Sequence, residues 1–326
     1  MKAAWYEKTG AARDVLIIGE RSDPKPEAGE VRVRIHASGI NPSDVKARAG
    51  ARGSIPFPYV IPHSDGAGIV DSVGEGVDQM RIGERVWTWN AAWQRADGTC
   101  AEYVCLPARQ ALTLPDNTDF DAGACMGIPG LTATYGVFSD GDVSGKTILV
   151  TGGAGAVGHY AIQLAKWGGA KVLTTVSGVA KAEHAAAAGA DVIINYREQD
   201  VAETVLEATG GAGVDRIVEV EFGGNLAASN AIIRPGGTIA TYGSMADPNP
   251  AIPFYDLMFK NVNLRLYLVY LFSEGVRASA VGRLTDALEA GALQHSFAKS
   301  FPLDDIIAAH ELVESGKAIG NVIVTI

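Results

Sequence analysis

Four glycines, Gly152, Gly153, Gly155 and Gly158, follow the short apolar run Thr147–Thr151. The spacing fits G-x-G-x-x-G through Gly153, Gly155 and Gly158, and equally G-x-x-G-x-x-G through Gly152, Gly155 and Gly158. Behind them Val157, Ala161, Leu164 and Ala165 recur at helical spacing, and a second strand-like run, Lys171–Val176, closes the unit. Glycine lets a backbone turn sharply and approach a pyrophosphate with no Cβ in the way. A helix starting near Ala156 would offer unpaired N–H groups and the positive end of its dipole to that anion. Strand, glycines, helix and second strand together predict a dinucleotide site, where the bare motif would say little.

The end of the second strand selects the dinucleotide. An NAD site places Asp or Glu about 20 residues after the glycines, to hold the ribose 2′-OH. This chain has Ser177, Gly178 and Lys181 there. A carboxylate would repel a 2′-phosphate, whereas a hydroxyl and an ammonium group would bind it, so the cofactor predicted is NADPH.

The elements that must position these residues follow from the rest of the chain. At 326 residues two domains are expected. Residues 1 to about 126 read as mostly β, with MKAAWYEK, DVLIIGER, EVRVRIHASGI, GAGIVDSVG, GERVWTW and AEYVCLP separated by Pro- and Gly-rich turns. From about Gly127 strands and helices alternate, which predicts a doubly wound parallel sheet. Strands are expected at 191–195, 214–220 and 238–242, and helices at 181–188, 200–208 and 225–233. A helix at 278–290 and a last strand at 321–326 form a tail that returns to the first domain. The expected division is therefore 1–126 with 273–326, a barrel-like β-rich domain, and 127–272, the dinucleotide-binding domain. The apolar stretch NVNLRLYLVYLF carries Arg265 and reads as a buried strand. A net charge of −10 argues against nucleic-acid and anionic-membrane partners. No signal-type segment or bilayer-spanning run is read from the sequence. Cys100, Cys105 and Cys125 form no framework, fit a reducing cytoplasm and read as small buried residues.

Taken together, ASGINPSDVKARAG, PHSDGAGIVDSVGEGV, GERV, AEYVCLP, GIPGLTATYGVF, the dinucleotide segment, GADVIINYRE, GGTIATYGS and GNVIVTI resemble the medium-chain dehydrogenase/reductase superfamily. The likeness is to its zinc-independent quinone oxidoreductase branch, the ζ-crystallin-like proteins, and it runs through essentially the whole chain. It implies an α/β protein with a GroES-like β-rich catalytic domain and a Rossmann domain, acting as a reductase with NADPH. In the zinc-dependent relatives a Cys, a His, a Glu and a later Cys hold the metal region. Asn41, Ser64, Asp65 and Ile128 align with those positions here, so no metal is expected. His63 lies one position off the ligand site and reads as a turn histidine.

The resemblance further implies cofactor contacts at Asn41 and Thr132 near the nicotinamide, and at Gly155, Ala156 and Val157 along the pyrophosphate. Ser177, Lys181 and Tyr196 would surround the 2′-phosphate, Gly243 and Ser244 would bind the cofactor after the fifth strand of the sheet, and Leu268, Val269, Tyr270 and Asn321 would line the nicotinamide end. The crevice beyond the carboxyl ends of a doubly wound sheet independently favours Gly155, Ser177, Asn195, Tyr196, Gly243 and Ser244. Where family members carry tyrosines facing the quinone, this chain has Lys46 and Arg52. Lys46 could protonate a developing enolate, which would suit reduction of an enone or enal C=C bond. Quinone reduction is the leading expectation, C=C reduction the second, and a non-catalytic NADPH-binding sensor remains open because fold does not fix function. A homodimer is expected through LRLYLVYLF.

Overall fold

The computed structural model describes residues 1–51 and 53–326; Arg52 lies outside them. The chain forms two compact units, residues 1–129 with 295–326 and residues 130–294. In chain order the first unit contains β1 (Lys2–Trp5), α1 (Ala12–Val15), β2 (Ile17–Glu20), β3 (Glu30–Ile40), α2 (Pro42–Arg48), β4 (Asp65–Val73), β5 (Arg85–Thr88), β6 (Tyr103–Pro107), β7 (Ala111–Thr113) and α3 (Phe120–Gly123). The second contains α4 (Leu131–Phe138), β8 (Thr147–Val150), α5 (Ala156–Trp167), β9 (Lys171–Val176), α6 (Val179–Ala187), β10 (Val192–Asn195), α7 (Val201–Ala208), β11 (Val214–Glu219), α8 (Phe222–Ile232), β12 (Ile233–Thr241), α9 (Phe254–Phe259), β13 (Asn263–Leu266) and α10 (Glu274–Glu289). The chain then returns to the first unit with β14 (Phe297–Pro302), α11 (Ile306–Glu314) and β15 (Asn321–Thr325).

In the first unit the strand order is β14-β15-β3-β4-β5-β7, with β6 also paired to β3. Only β14 and β15 run parallel; the other pairs are antiparallel. Along β3, Val31, Val33, Ile35 and Ala37 are buried at the two-residue period of a half-buried strand. They pack with Val70, Val86, Val104 and Leu106. A second cluster of Ala3, Tyr6, Ile61, Ile306 and Val324 ties the returning tail to the N-terminal strands. Within DVLIIGER the strand begins only at Ile17, because Ala12–Val15 coil into one helical turn that buries Ala12 and Val15.

The second unit is a six-stranded parallel sheet of order β10-β9-β8-β11-β12-β13. Its central strands are apolar on both faces (Ile148, Leu149 and Val150; Ile217 and Val218), as a sheet covered by helices on both sides requires. The C-terminal crossing lies after α10, not before it at 272/273. The helix packs on α4, with Ala280, Leu284, Ala287 and Leu288 buried. The run NVNLRLYLVYLF is not one buried strand. β13 stops at Leu266 and has a neighbour on one side only, and Leu266 and Leu271 are 72% and 67% exposed. Apolar content marked the segment correctly, but an edge strand has no second neighbour to bury it.

Candidate functional site

Within the first unit the site grows from the junction of β3 and α2. Asn41 is the N-cap residue of α2, with Pro42 at the first helical position. The Asp44 carboxylate accepts the Asn41 backbone N–H at 2.8 Å, which fixes where the helix starts. Asn41 is buried, and its Nδ2 donates to Asp65 Oδ2 at 2.8 Å. The backbone N–H of Ile128 donates to the same oxygen at 2.9 Å. Asp65 Oδ1 has no hydrogen-bond partner among the described residues. A Cβ on Gly127 would come within 2.1 Å of it, so only glycine fits there.

Burial, and then the neighbouring charge of Asp44, push the Asp65 carboxyl well above the usual carboxylate range against the pull of Ile128 and Asn41. The Asp65 carboxyl is therefore more readily protonated than an exposed aspartate. The aligned metal-region positions Asn41, Asp65 and Ile128 do come together, but as an amide, a carboxyl and a backbone N–H. Ser64 is buried, and its carbonyl accepts from Ala91. Among the described residues there is no group of three or more His, Cys, Asp or Glu able to hold a metal ion.

His63 does sit in a turn, with a left-handed φ of 77°. It is also fully buried and hydrogen-bonded through both ring nitrogens, to Ser38 Oγ at 2.8 Å and His310 Nε2 at 2.9 Å. Burial drives it down to about 3. Sequence spacing carried no sign of His310, which lies in α11. Lys46 is an exposed residue of α2. Asn321 is buried at the start of β15, where its backbone and side chain both donate to the Ser296 carbonyl. Cys100, Cys105 and Cys125 are buried, and none forms a disulfide.

Within the second unit, β8, β9, β10 and β12 run parallel, so the segments after them share one edge of the sheet. The strand order places Tyr196, Ser177, Gly155 and Gly243 along that edge in turn. Winding reverses between β8 and β11, the switch point where such sheets bind ligands. The glycines divide the labour. Gly152 takes φ 67° and opens the turn. A Cβ on Gly153 would lie 2.0 Å from Thr174 Oγ1, and one on Gly158 would lie 2.3 Å from the Gly152 carbonyl oxygen. At Gly155 a Cβ would meet nothing closer than 3.4 Å. Gly153 and Gly158 thus let strand and helix pack, while Gly155 leaves the N-terminus of α5 open.

No acidic residue and no side-chain cap occupies the first turn of α5, where Ala156 and Val157 present their N–H groups. That cradle fits a pyrophosphate. Ser177 and Lys181, which follow the neighbouring strand β9, are half-buried, and Tyr196 is 52% exposed. Gly243 and Ser244 follow β12; Ser244 Oγ accepts from the Gly223 N–H at 2.9 Å and donates to the Asp247 carbonyl. Thr132 is buried in α4, its carbonyl accepting from Tyr267 Oη at 3.0 Å. Of the nicotinamide-end expectations, Val269 and Tyr270 are buried and Leu268 is half-exposed.

Residues 27–116 match the family described as alcohol dehydrogenase GroES-like domain, and residues 156–285 the family described as zinc-binding dehydrogenase. The chain is 32% identical to a Burkholderia sp. 2-haloacrylate reductase, covering 99% of this chain and 98% of that protein. It is 29% identical to the Sus scrofa quinone oxidoreductase, over 99% and 97%. An Escherichia coli quinone oxidoreductase solved in complex with NADPH superposes with a TM-score of 0.87 at 28% identity, over all of both chains. The chain belongs to the quinone oxidoreductase branch of the medium-chain dehydrogenase/reductase superfamily.

Glu219 is a candidate site residue of this medium-chain reductase that sequence reasoning missed. It ends β11 at the switch point, fully buried. Its Oε1 accepts from Thr151 Oγ1 at 2.8 Å, Asn225 Nδ2 at 2.9 Å and the Glu221 N–H at 2.7 Å. Burial raises its pKa against those bonds. Glu221 in turn accepts the N–H groups of Met245 and Ala246, fixing the loop after Ser244. The available signal was a carboxylate closing an apolar strand, VDRIVE, where a charge is costly unless it organises something.

Proposed function

We propose that the protein is an NADPH-dependent reductase of quinones or related carbonyl acceptors that needs no metal ion. The observation carrying this is the carboxylate-free segment Ser177–Lys181 beside the open N-terminus of α5. NADPH, when bound, supplies a hydride. Within the second unit, Gly155, Ala156 and Val157 receive the pyrophosphate, and Ser177, Lys181 and Tyr196 receive the 2′-phosphate. Thr132, Gly243, Ser244, Leu268, Val269 and Tyr270 line the nicotinamide end. On the first unit Asn41 and Asn321 are the candidate cofactor contacts. Asn41 and Lys46 are the candidate catalytic groups, the amide held in one orientation by the buried Asp65 carboxyl.

The second reading, reduction of an activated C=C bond, is favoured by the 32% identity to a protein named for an acrylate, itself an α,β-unsaturated acid. Lys46 would then deliver the α-carbon proton. The deciding experiment is NADPH oxidation, with and without chelator, against a benzoquinone, a naphthoquinone, an enal and a cyclic enone. Quinone turnover indifferent to chelator supports the first reading. Turnover confined to the enal or enone transfers the assignment to the second. Loss on chelation with recovery on adding zinc ends the metal-free proposal.

A homodimer built on the open edge of β13, and a cytoplasmic setting, complete the proposal. The exposed side chains Leu266 and Leu271 would be covered by the copy of the same strand. A monomer in sedimentation at micromolar concentration would end that part of it.

A further inference from the structure

The first unit contains a line of buried polar groups that the functional reading has not used. Arg48, His310, His63, Ser38 and Thr99 are all fully buried. Arg48 Nε lies 3.3 Å from His310 Nδ1, and His310 Nε2 lies 2.9 Å from His63 Nε2. His63 Nδ1 is 2.8 Å from Ser38 Oγ, Ser38 Oγ is 2.7 Å from Thr99 Oγ1, and Thr99 Oγ1 is 2.6 Å from the Asp65 carbonyl oxygen.

Both ends of this line have a fixed sense. A guanidinium only donates and a carbonyl only accepts. His310 Nδ1 must therefore be a bare acceptor, which puts the His310 hydrogen on Nε2. His63 Nε2 must accept it, so His63 carries its hydrogen on Nδ1 and donates to Ser38. The Ser38 hydroxyl then donates to Thr99, and Thr99 donates to the Asp65 carbonyl. No link can be reversed without setting two hydrogens or two lone pairs against each other. A charge on either ring would do the same, and burial keeps both rings neutral. The outer end is anchored by Arg48, which also donates to the Gly10 carbonyl and to Glu314.

The line ends on the residue that holds Asn41. We propose that His63 and His310 are positioning residues: with Arg48, Ser38 and Thr99 they form a one-directional hydrogen-bond chain that sets the Asp65 backbone and, through the Asp65 carboxyl, the Asn41 amide. This rests on the assignment of Asn41 to the reaction. A second set of contacts supports the same turn. Thr99 N–H donates to the His63 carbonyl, and Gly98 admits no Cβ because the carbonyl oxygens of Ile61, Pro62 and His63 lie 2.4–2.6 Å from where it would be. The left-handed backbone at His63 is thereby held from both sides.

Two measurements test it. In ¹⁵N-histidine-labelled protein, long-range ¹H–¹⁵N spectra near pH 7 should show His310 protonated on Nε2 alone and His63 on Nδ1 alone. The opposite tautomers, or a charged ring, would overturn the chain. Steady-state turnover of a benzoquinone then compares Thr99→Ala, which lacks the hydroxyl, with Thr99→Ser, which keeps it. Thr99→Ala should lower kcat by about tenfold, the scale of one buried hydrogen bond, and Thr99→Ser should restore kcat to within about twofold of the parent protein. Equal losses in both variants would assign the effect to the methyl group and reject positioning. The expected tautomers in a protein that turns over none of the four acceptors would overturn the functional reading, and the positioning role with it, while the chain itself stood.

Discussion

Asn41 and Asp65 are joined at 2.8 Å, a buried amide donating to a buried carboxyl whose pKa burial raises well above the usual carboxylate range. An amide is the uncharged counterpart of that carboxyl and keeps its oxygen acceptor. Asp65→Asn should therefore keep an acceptor for Asn41 and Ile128, with only a small change in stability. Asp65→Ala strands two buried donors, and each costs about 1–3 kcal/mol. Chemical denaturation should place Asp65→Ala several kcal/mol below Asp65→Asn. Equal destabilisation by both would mean that the carboxyl is charged in the fold.

The glycines at the cofactor turn separate binding from folding. Gly155→Ala meets no close neighbour, so its thermal midpoint should stay near that of the parent protein while NADPH affinity falls steeply, its methyl occupying the pyrophosphate's approach. Gly158→Ala drives a Cβ to 2.3 Å from a carbonyl oxygen and should lower the midpoint itself. Thermal melts with and without NADPH distinguish the two, and identical behaviour of both variants would dispose of the division.

The proposed contact of Lys181 with the 2′-phosphate has its own test. A charge-assisted bond is worth about 1.5–3 kcal/mol, so Lys181→Ala should weaken NADPH by about tenfold or more and leave NADH almost untouched. Isothermal titration with both dinucleotides gives the answer; matching losses would move Lys181 to an ordinary solvated helix face.

Acid should unfold the protein through its buried histidines. His63 is lowered to about 3 from an ordinary value near 6.5, and His310 is lowered as well. The unfolded chain therefore takes up protons below pH 6.5 that the fold refuses until about pH 3. Their contribution is complete above 6.5 and is lost progressively as pH falls toward 3. The groups facing them are Arg48 and, beyond it, Glu314. Asp65 has the opposite sign: its raised value costs stability as pH rises above the ordinary carboxylate range. In Asp65→Asn its share of that opposing trend is removed, with Glu219 still raised in the same sense, and the denaturant midpoint should decline as pH falls below about 6.5. A midpoint that holds down to about pH 5 would show that the rings titrate freely in the native state.

How much of this was legible depends on sequence distance. The glycine turn, its helix and the Ser177–Lys181 segment are local, and short-range spacing carried them. Asn41 and Asp65 were placed at the aligned metal positions, but not the bond between them, which spans 24 residues, nor its companion from Ile128, which spans 63. His310 lies 247 residues from His63 and lay beyond any spacing argument. The run through β13 was legible as apolar and illegible as exposed, since hydrophobicity does not say whether a strand has one neighbour or two. Lys46 lies on α2, while Arg52, its companion in the comparison with the family's tyrosines, lies outside the described residues.

Ile128 meets Asp65 through the main chain, not through its side chain. That locus is consequently almost mute to mutation: nineteen of the twenty amino acids carry the same N–H, and proline alone would delete the bond. A survey of tolerated substitutions would therefore score position 128 by the fit of its side chain and pass over its part in holding the buried carboxyl.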